Sequence, residues 1–153
     1  MTLLFTEKFV KTVLLFVLSF FLIITGIYDI KYKKIPDRYV LYICITGIML
    51  RNLYFELETL NMIYGFLSIS FFFFIINIIK PSSFGGGDIK FIVSASFFLG
   101  IYVWNSFIIA VFISFPEAVY IILKGEKYRY FPFGPYISIG IFVQTLLLLY
   151  GLT

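Results

Sequence analysis

Histidine is absent from this chain, cysteine occurs once, and only 13% of the residues are charged. Each scarcity excludes a class of function. The lone cysteine, Cys44, lies inside an apolar run and cannot build a disulfide framework. Without histidine no His/Cys metal site can be assembled, so a metal would have to rest on carboxylates alone; the reading expects no metal and no cofactor. Nucleotide-binding loops are missing as well. The one glycine cluster, Gly85–Gly86–Gly87, fits neither G-x-x-x-x-G-K-[ST] nor G-x-G-x-x-G after a strand.

What is abundant is hydrocarbon. The 153 residues are 61% hydrophobic and 22% aromatic, with a mean hydropathy of +1.03. A soluble domain of this length cannot hide that much apolar surface, so lipid is the expected solvent for most of it. The length fits one integral-membrane domain over residues 1–153. The net charge of +4 comes from basic residues in short loops between apolar runs, a pattern that reports membrane topology and not a nucleic-acid partner. Lys8 and Lys11, followed by "TVLLFVLSFFLIITGIY", resemble the start of a signal peptide. The run is as long as a membrane span and no A-x-A pattern follows it, so it reads as a retained first helix.

Charges, glycines and prolines divide the chain into six apolar segments: Thr12–Ile30, Arg38–Phe55, Leu60–Ile79, Ile89–Trp104, Ser106–Leu123 and Phe133–Leu152. At about 20 residues per crossing, these predict an all-α polytopic bundle of about six transmembrane helices. The fourth is short, and its break from the fifth is set at Trp104–Asn105–Ser106. Alternating the loops puts Lys31, Lys33, Lys34, Arg38, Lys80, Lys90, Lys124, Lys127 and Arg129 on one side and Lys8, Lys11 and Arg51 on the other. The basic side is expected to be cytoplasmic, with both termini outside.

Against this background the acids are conspicuous. Glu7, Glu56, Glu58 and Glu126 fall in loops and are expected to be solvated. Asp29 closes the first span, Asp88 ends the glycine run and opens the fourth, and Glu117 lies inside the fifth beside Pro116. Alternation puts Asp29 and Asp88 at the same membrane face. Two such acids on packed helices form the minimum constellation of an aspartic hydrolase. One ionised carboxyl takes a proton from water while one protonated carboxyl polarises the scissile carbonyl, and the pair titrates as a unit.

Structural explanations compete with this reading. Asp88 at a helix start is also a cap or dipole partner, and Asp29 can pair with Lys31, Lys33 or Lys34. The glycines can be a flexible connection, or they can let an extended peptide approach the acid closely. Glu117 reads as structural, with Lys90 or Lys124 reaching towards it; Asn77, Gln144 and Cys44 read as helix-packing residues. The helix dipole assigns the base to Asp88, at a helix N-terminus, and the proton donor to Asp29, at a helix C-terminus.

Three motifs in order resemble those of the type IV prepilin peptidases. "DIKYKKIPD" (Asp29 to Asp37) is similar to the family's first motif, an aspartate followed by Ile35-Pro36; "GGGDIK" (Gly85 to Lys90) to its G-x-G-D motif and lysine; and "FPFGPYISIG" (Phe131 to Gly140) to the stretch opening its last helix. The resemblance implies a membrane-embedded aspartic endopeptidase in the cytoplasmic membrane of a prokaryote. It implies removal of the basic leader of prepilins, pseudopilins or archaellins at the cytoplasmic face, with Asp29 and Asp88 catalytic. Gly85, Gly86, Gly87, Lys90, Ile35, Pro36, Pro132, Gly134 and Pro135 would shape the site. Two departures stand out. The paired C-x-x-C segment that long members use in methylation is not seen, so no methyltransferase activity is expected, and Asp37 stands where many members have Asn. The pairing of Tyr28-Asp29 with G-x-G-D is also similar to presenilin-like proteases, but their Pro-Ala-Leu motif does not occur. Readings from other classes are an ion or solute carrier binding cations through Asp29, Asp88 and Glu117, and an inert scaffold of a secretion machine.

Overall fold

The computed structural model describes residues 2–55, 57–81, 84–125 and 131–152, with backbone alone for 2–5. Glu56, Glu126, Lys127 and Arg129, assigned to loops above, lie outside the described residues. The fold is all-helical: α1 (Thr2–Tyr32), α2 (Asp37–Tyr54), α3 (Thr59–Ile79), α4 (Gly86–Leu99), a 3-10 turn (Gly100–Tyr102), α5 (Val103–Leu123) and α6 (Gly134–Leu149).

Local chemistry explains the boundaries. Pro36 is extended (φ −68°, ψ 130°) and leads directly into α2, whose first turn carries Asp37, favourable at the positive end of a helix. Gly100 ends α4 with φ +60°, and a side chain there would meet Asn61, whose Oδ1 accepts the Ile101 amide at 2.9 Å. The break between the fourth and fifth segments therefore lies at Gly100, not at Asn105 as expected. A left-handed glycine tied down by a neighbouring helix outweighs the weak polar signal of "WNS". Thr6–Tyr32, Thr59–Ile79 and the run Gly86–Leu123 are long and apolar enough to cross a membrane; α6, of 16 residues, is apolar but shorter.

Polarity is arranged inside out. Phe16, Phe71, Phe112 and Leu123 are exposed, whereas Thr25, Ser96, Ser106, Gln144 and Thr145 are fully buried. The buried hydroxyls donate back to carbonyls of their own helices, Thr25 to Phe21 and Thr145 to Ile141 among them. This suits a hydrocarbon solvent, in which helices associate through close backbone approach more than through oil-like faces. A Cβ at Gly140 would strike the Ser106 carbonyl, and one at Gly65 the Gly100 carbonyl.

Helix α4 lies at the centre, against α2, α3, α5 and α6, and buries Phe91, Ile92, Ala95, Phe98 and Leu99 completely. Helices α2 and α6 flank α1, and α5 packs along α6. At one end Lys11 Nζ donates to the Leu149 carbonyl, and Tyr54 donates to that of Glu7, tying together the start of α1 and the ends of α2 and α6. The opposite end gathers the C-terminus of α1 and the N-termini of α2, α4 and α6, which is where the expected site residues sit.

Candidate active site

Asp29 occupies the last turn of α1 and is 1% exposed. Its Oδ2 accepts a 2.9 Å hydrogen bond from the Gly134 amide, the first residue of α6. That amide belongs to an unsatisfied helix start, so α6 supplies a donor and a positive dipole end to a carboxylate whose own helix would repel it. Gly134 is required by the contact, because a Cβ there would sit 2.8 Å from Oδ2 and 2.9 Å from the Asp29 Cβ.

Asp88 is the third residue of α4 and is 7% exposed. Its carboxylate turns back to the main chain of Gly85, the residue capping the helix. This is half of a capping box, in which an acid in the first turn serves the amide before it. The cap explains one oxygen only: Oδ1 is buried without a hydrogen-bond partner among the described residues.

Both acids line one cavity of about 290 Å³. Gly85, Gly86 and Gly87 form one wall and Lys33, Lys34 and Ile35 another; Asp37 and Lys90 complete it. Lys90 Nζ lies 3.1 Å from Asp37 Oδ1, an exposed ion pair joining α4 to the start of α2. The glycines do not share one purpose. A Cβ at Gly85 would lie 2.9 Å from Asp88 Oδ2 and one at Gly87 3.2 Å from the Ile35 Cβ, so packing demands these two. Gly86, alone of these three, meets nothing within 4 Å among the described residues.

Of the site residues expected from sequence, Asp29, Asp88, Gly85, Gly86, Gly87, Lys90 and Ile35 come together here, and Gly134 touches Asp29. Pro36, Pro132 and Pro135 do not line the cavity. Pro36 precedes α2, Pro132 lies in the segment before α6, and Pro135 packs on Gly26 beside a separate apolar groove between α1 and α6. Glu117 also lies elsewhere: it accepts a hydrogen bond from the Tyr136 hydroxyl, not a charge from Lys90 or Lys124. Lys124 lies over the Tyr120 ring instead. Lys33, Lys34 and Asp37 were not singled out for the cavity. The signal was present for Asp37, since Ile35-Pro36 starts a helix and span alternation brings that start to the same end as Asp88. Arg51, assigned to a loop, is buried in the last turn of α2, because three carbonyls there accept its donors.

Two buried carboxyls on one cavity cannot both carry full charge without cost, and water admitted between them meets a donor and an acceptor together. The sequence profile of the type IV leader peptidase family matches residues 16–123, from α1 to the end of α5, and the chain belongs to that family. The match takes in both aspartates and the glycine motif, while the Phe131–Gly140 stretch falls beyond it. Comparison with curated proteins and with solved structures gave no match. Family membership makes the chain a leader-peptidase-like protease and does not favour a carrier.

Proposed function

We propose that this chain is a membrane-embedded aspartic endopeptidase, with Asp29 and Asp88 as the catalytic pair, that removes the leader peptide of prepilin-like precursors. The observation that carries the reading is the convergence of both buried carboxyls on one cavity at the ends of α1 and α4. The Asp88 Oδ1, buried without a hydrogen-bond partner among the described residues and beside that cavity, supports it further.

The two acids differ in surroundings, and this divides their work. Asp29 accepts the Gly134 N–H, which stabilises a carboxylate, and is the better candidate for the base that activates water. Asp88, whose Oδ1 has no partner among the described residues, is the better candidate for the donor to the scissile carbonyl. This inverts the assignment from helix dipoles alone, because α6 contributes an N-terminus to Asp29 that its own helix does not have. Gly86, open on its side-chain face, is where an extended substrate backbone can come closest.

In this reading residues 1–153 form one domain of six spans in the cytoplasmic membrane of a prokaryote, with the acids at the cytoplasmic face and both termini outside. Helix α4, about 21 Å long at about 1.5 Å per residue for its 14 residues, is a short span that leaves Asp88 near the surface. Substrates belong to type IV pilus, pseudopilin or archaellin systems, and the product keeps a free amine without N-methylation. Co-expression with candidate prepilins, read as a mobility shift, tests the activity, and the mass of the processed pilin tests for an added methyl group. Tags at the two termini, accessible from outside intact cells, test the orientation; a cytoplasmic N-terminus would overturn it.

A further inference from the structure

The two acids sit on helices that scarcely touch each other among the described residues; α1 and α4 each pack on α2 and α6 instead. A carboxyl pair works only if its spacing is held to within about 0.5 Å, and here no direct α1–α4 interface holds it. Asp29 is tied to α6 through the Gly134 amide. Asp88 turns to Gly85, a residue of its own segment. Its distance from Asp29 therefore depends on what the first turn of α4 rests against.

On the cavity side that support is Ile35, which is 8% exposed and belongs to the wall of the cavity that both acids line. A Cβ at Gly87, the residue before Asp88, would lie 3.2 Å from the Ile35 Cβ and 3.4 Å from its amide nitrogen. The bare main chain of Gly87 thus lets the turn after α1 lie directly against the start of α4. A second link across the same gap, Lys90 to Asp37, is exposed and correspondingly weak.

The turn that carries Ile35 is stiff. Lys33 donates its amide to the Asp29 carbonyl at 2.8 Å and has φ +55°; among the described residues no other non-glycine is left-handed. Such a backbone persists where its surroundings over-determine it, and it gathers at functional sites. Pro36 fixes its own φ at −68° and confines the residue before it to extended backbone. The β-branch of Ile35 restricts that residue further. From Asp29 to Pro36 the chain has little freedom left.

We propose that Ile35 is a positioning residue, a rigid spacer that seats on Gly87 and fixes the separation of the Asp29 and Asp88 carboxyls. Its consequence for catalysis rests on the peptidase reading, whereas the spacing is measurable without any cleavage.

A space-filling role and a spacer role rank substitutions in opposite orders. If Ile35 only filled volume, Leu, with as many carbons, would replace it better than the smaller Val. A spacer needs the branched Cβ. Ile35→Val should then lower kcat for leader cleavage by no more than about threefold and Ile35→Leu by about tenfold, both with KM within about twofold of wild type. Gly87→Ala, which pushes the turn and α4 apart, should match Ile35→Leu, and the double variant should fall well short of the product of the two losses. Spacing is read separately in the full chain carrying Cys44→Ser, Asp29→Cys and Asp88→Cys, as the rate of bridging by a short bifunctional methanethiosulfonate. Adding Ile35→Val should leave that rate close to its starting value, and adding Ile35→Leu or Gly87→Ala should slow it by about fivefold or more. The spacer is overturned if Ile35→Leu cleaves faster than Ile35→Val, if the two cysteines do not bridge, or if bridging ignores both Ile35→Leu and Gly87→Ala. A wild type that cleaves no leader, with bridging rates in the expected order, would sink the peptidase reading and leave the spacer standing.

Discussion

The two ends of the bundle bury charge of opposite sign and treat it differently. At the Arg51 end, carbonyls of the α2–α3 connection and of α4 close around the guanidinium, so the charge staples three elements together. At the acid end, Asp29 accepts an amide from α6 and Asp88 turns to its own cap, yet one Asp88 oxygen meets no donor among the described residues. The three carbonyls account for the guanidinium as a structural group. Asp88, by contrast, has a buried oxygen beside a cavity, the kind of environment that is over-represented at functional sites. Glu117 accepts a hydrogen bond from Tyr136 away from the cavity, and this separates it from Asp29 and Asp88.

The sharpest test of this contrast is to neutralise each end in turn. Asp29→Asn and Asp88→Asn should each lower leader cleavage by about 10²-fold or more while leaving insertion and thermal stability near wild type. Normal processing by either variant would remove it from the catalytic pair. Arg51→Met should do the opposite, leaving three carbonyls unmet and costing about 3 kcal/mol or more in unfolding measurements. If Arg51→Met were as stable as wild type, the staple would be an incidental contact.

The glycines refine the comparison within the acid end. Gly134→Ala drives a Cβ into Asp29 and should cut kcat by about 10- to 100-fold in a protein that still inserts. Gly86→Ala meets nothing within 4 Å, so its stability should match wild type, and an increase in KM would show that a substrate passes there. An unchanged KM would leave Gly86 a connector only.

Smaller effects are expected where partners are complete or exposed. Tyr136→Phe should cost about 1–2 kcal/mol of stability, with cleavage reduced only a few-fold. A loss as deep as that of Asp88→Asn would bring Glu117 into the chemistry. Asp37→Asn breaks an ion pair whose side chains are 63% and 75% exposed, so stability should change by less than about 1 kcal/mol and even less in high salt.

Sequence by itself determined the helical segments, the lipid-facing composition and the presence of two aspartates at helix ends. These depend on local hydropathy, on Gly and Pro, and on the alternation of apolar runs, all readable over some twenty residues. Tertiary structure decided the rest. Asp29 and Gly134 are 105 residues apart in the chain, and no periodicity announces that an α6 amide will meet an α1 carboxylate. Arg51 read as a loop charge because its three acceptors are main-chain carbonyls, which every residue carries and no sequence distinguishes. The break at Gly100 was hidden for a related reason: its left-handed backbone is held by Asn61 on another helix. Which helix end faces which buried charge depends on how six helices pack, and that packing sets which polar groups are satisfied and which remain free for chemistry.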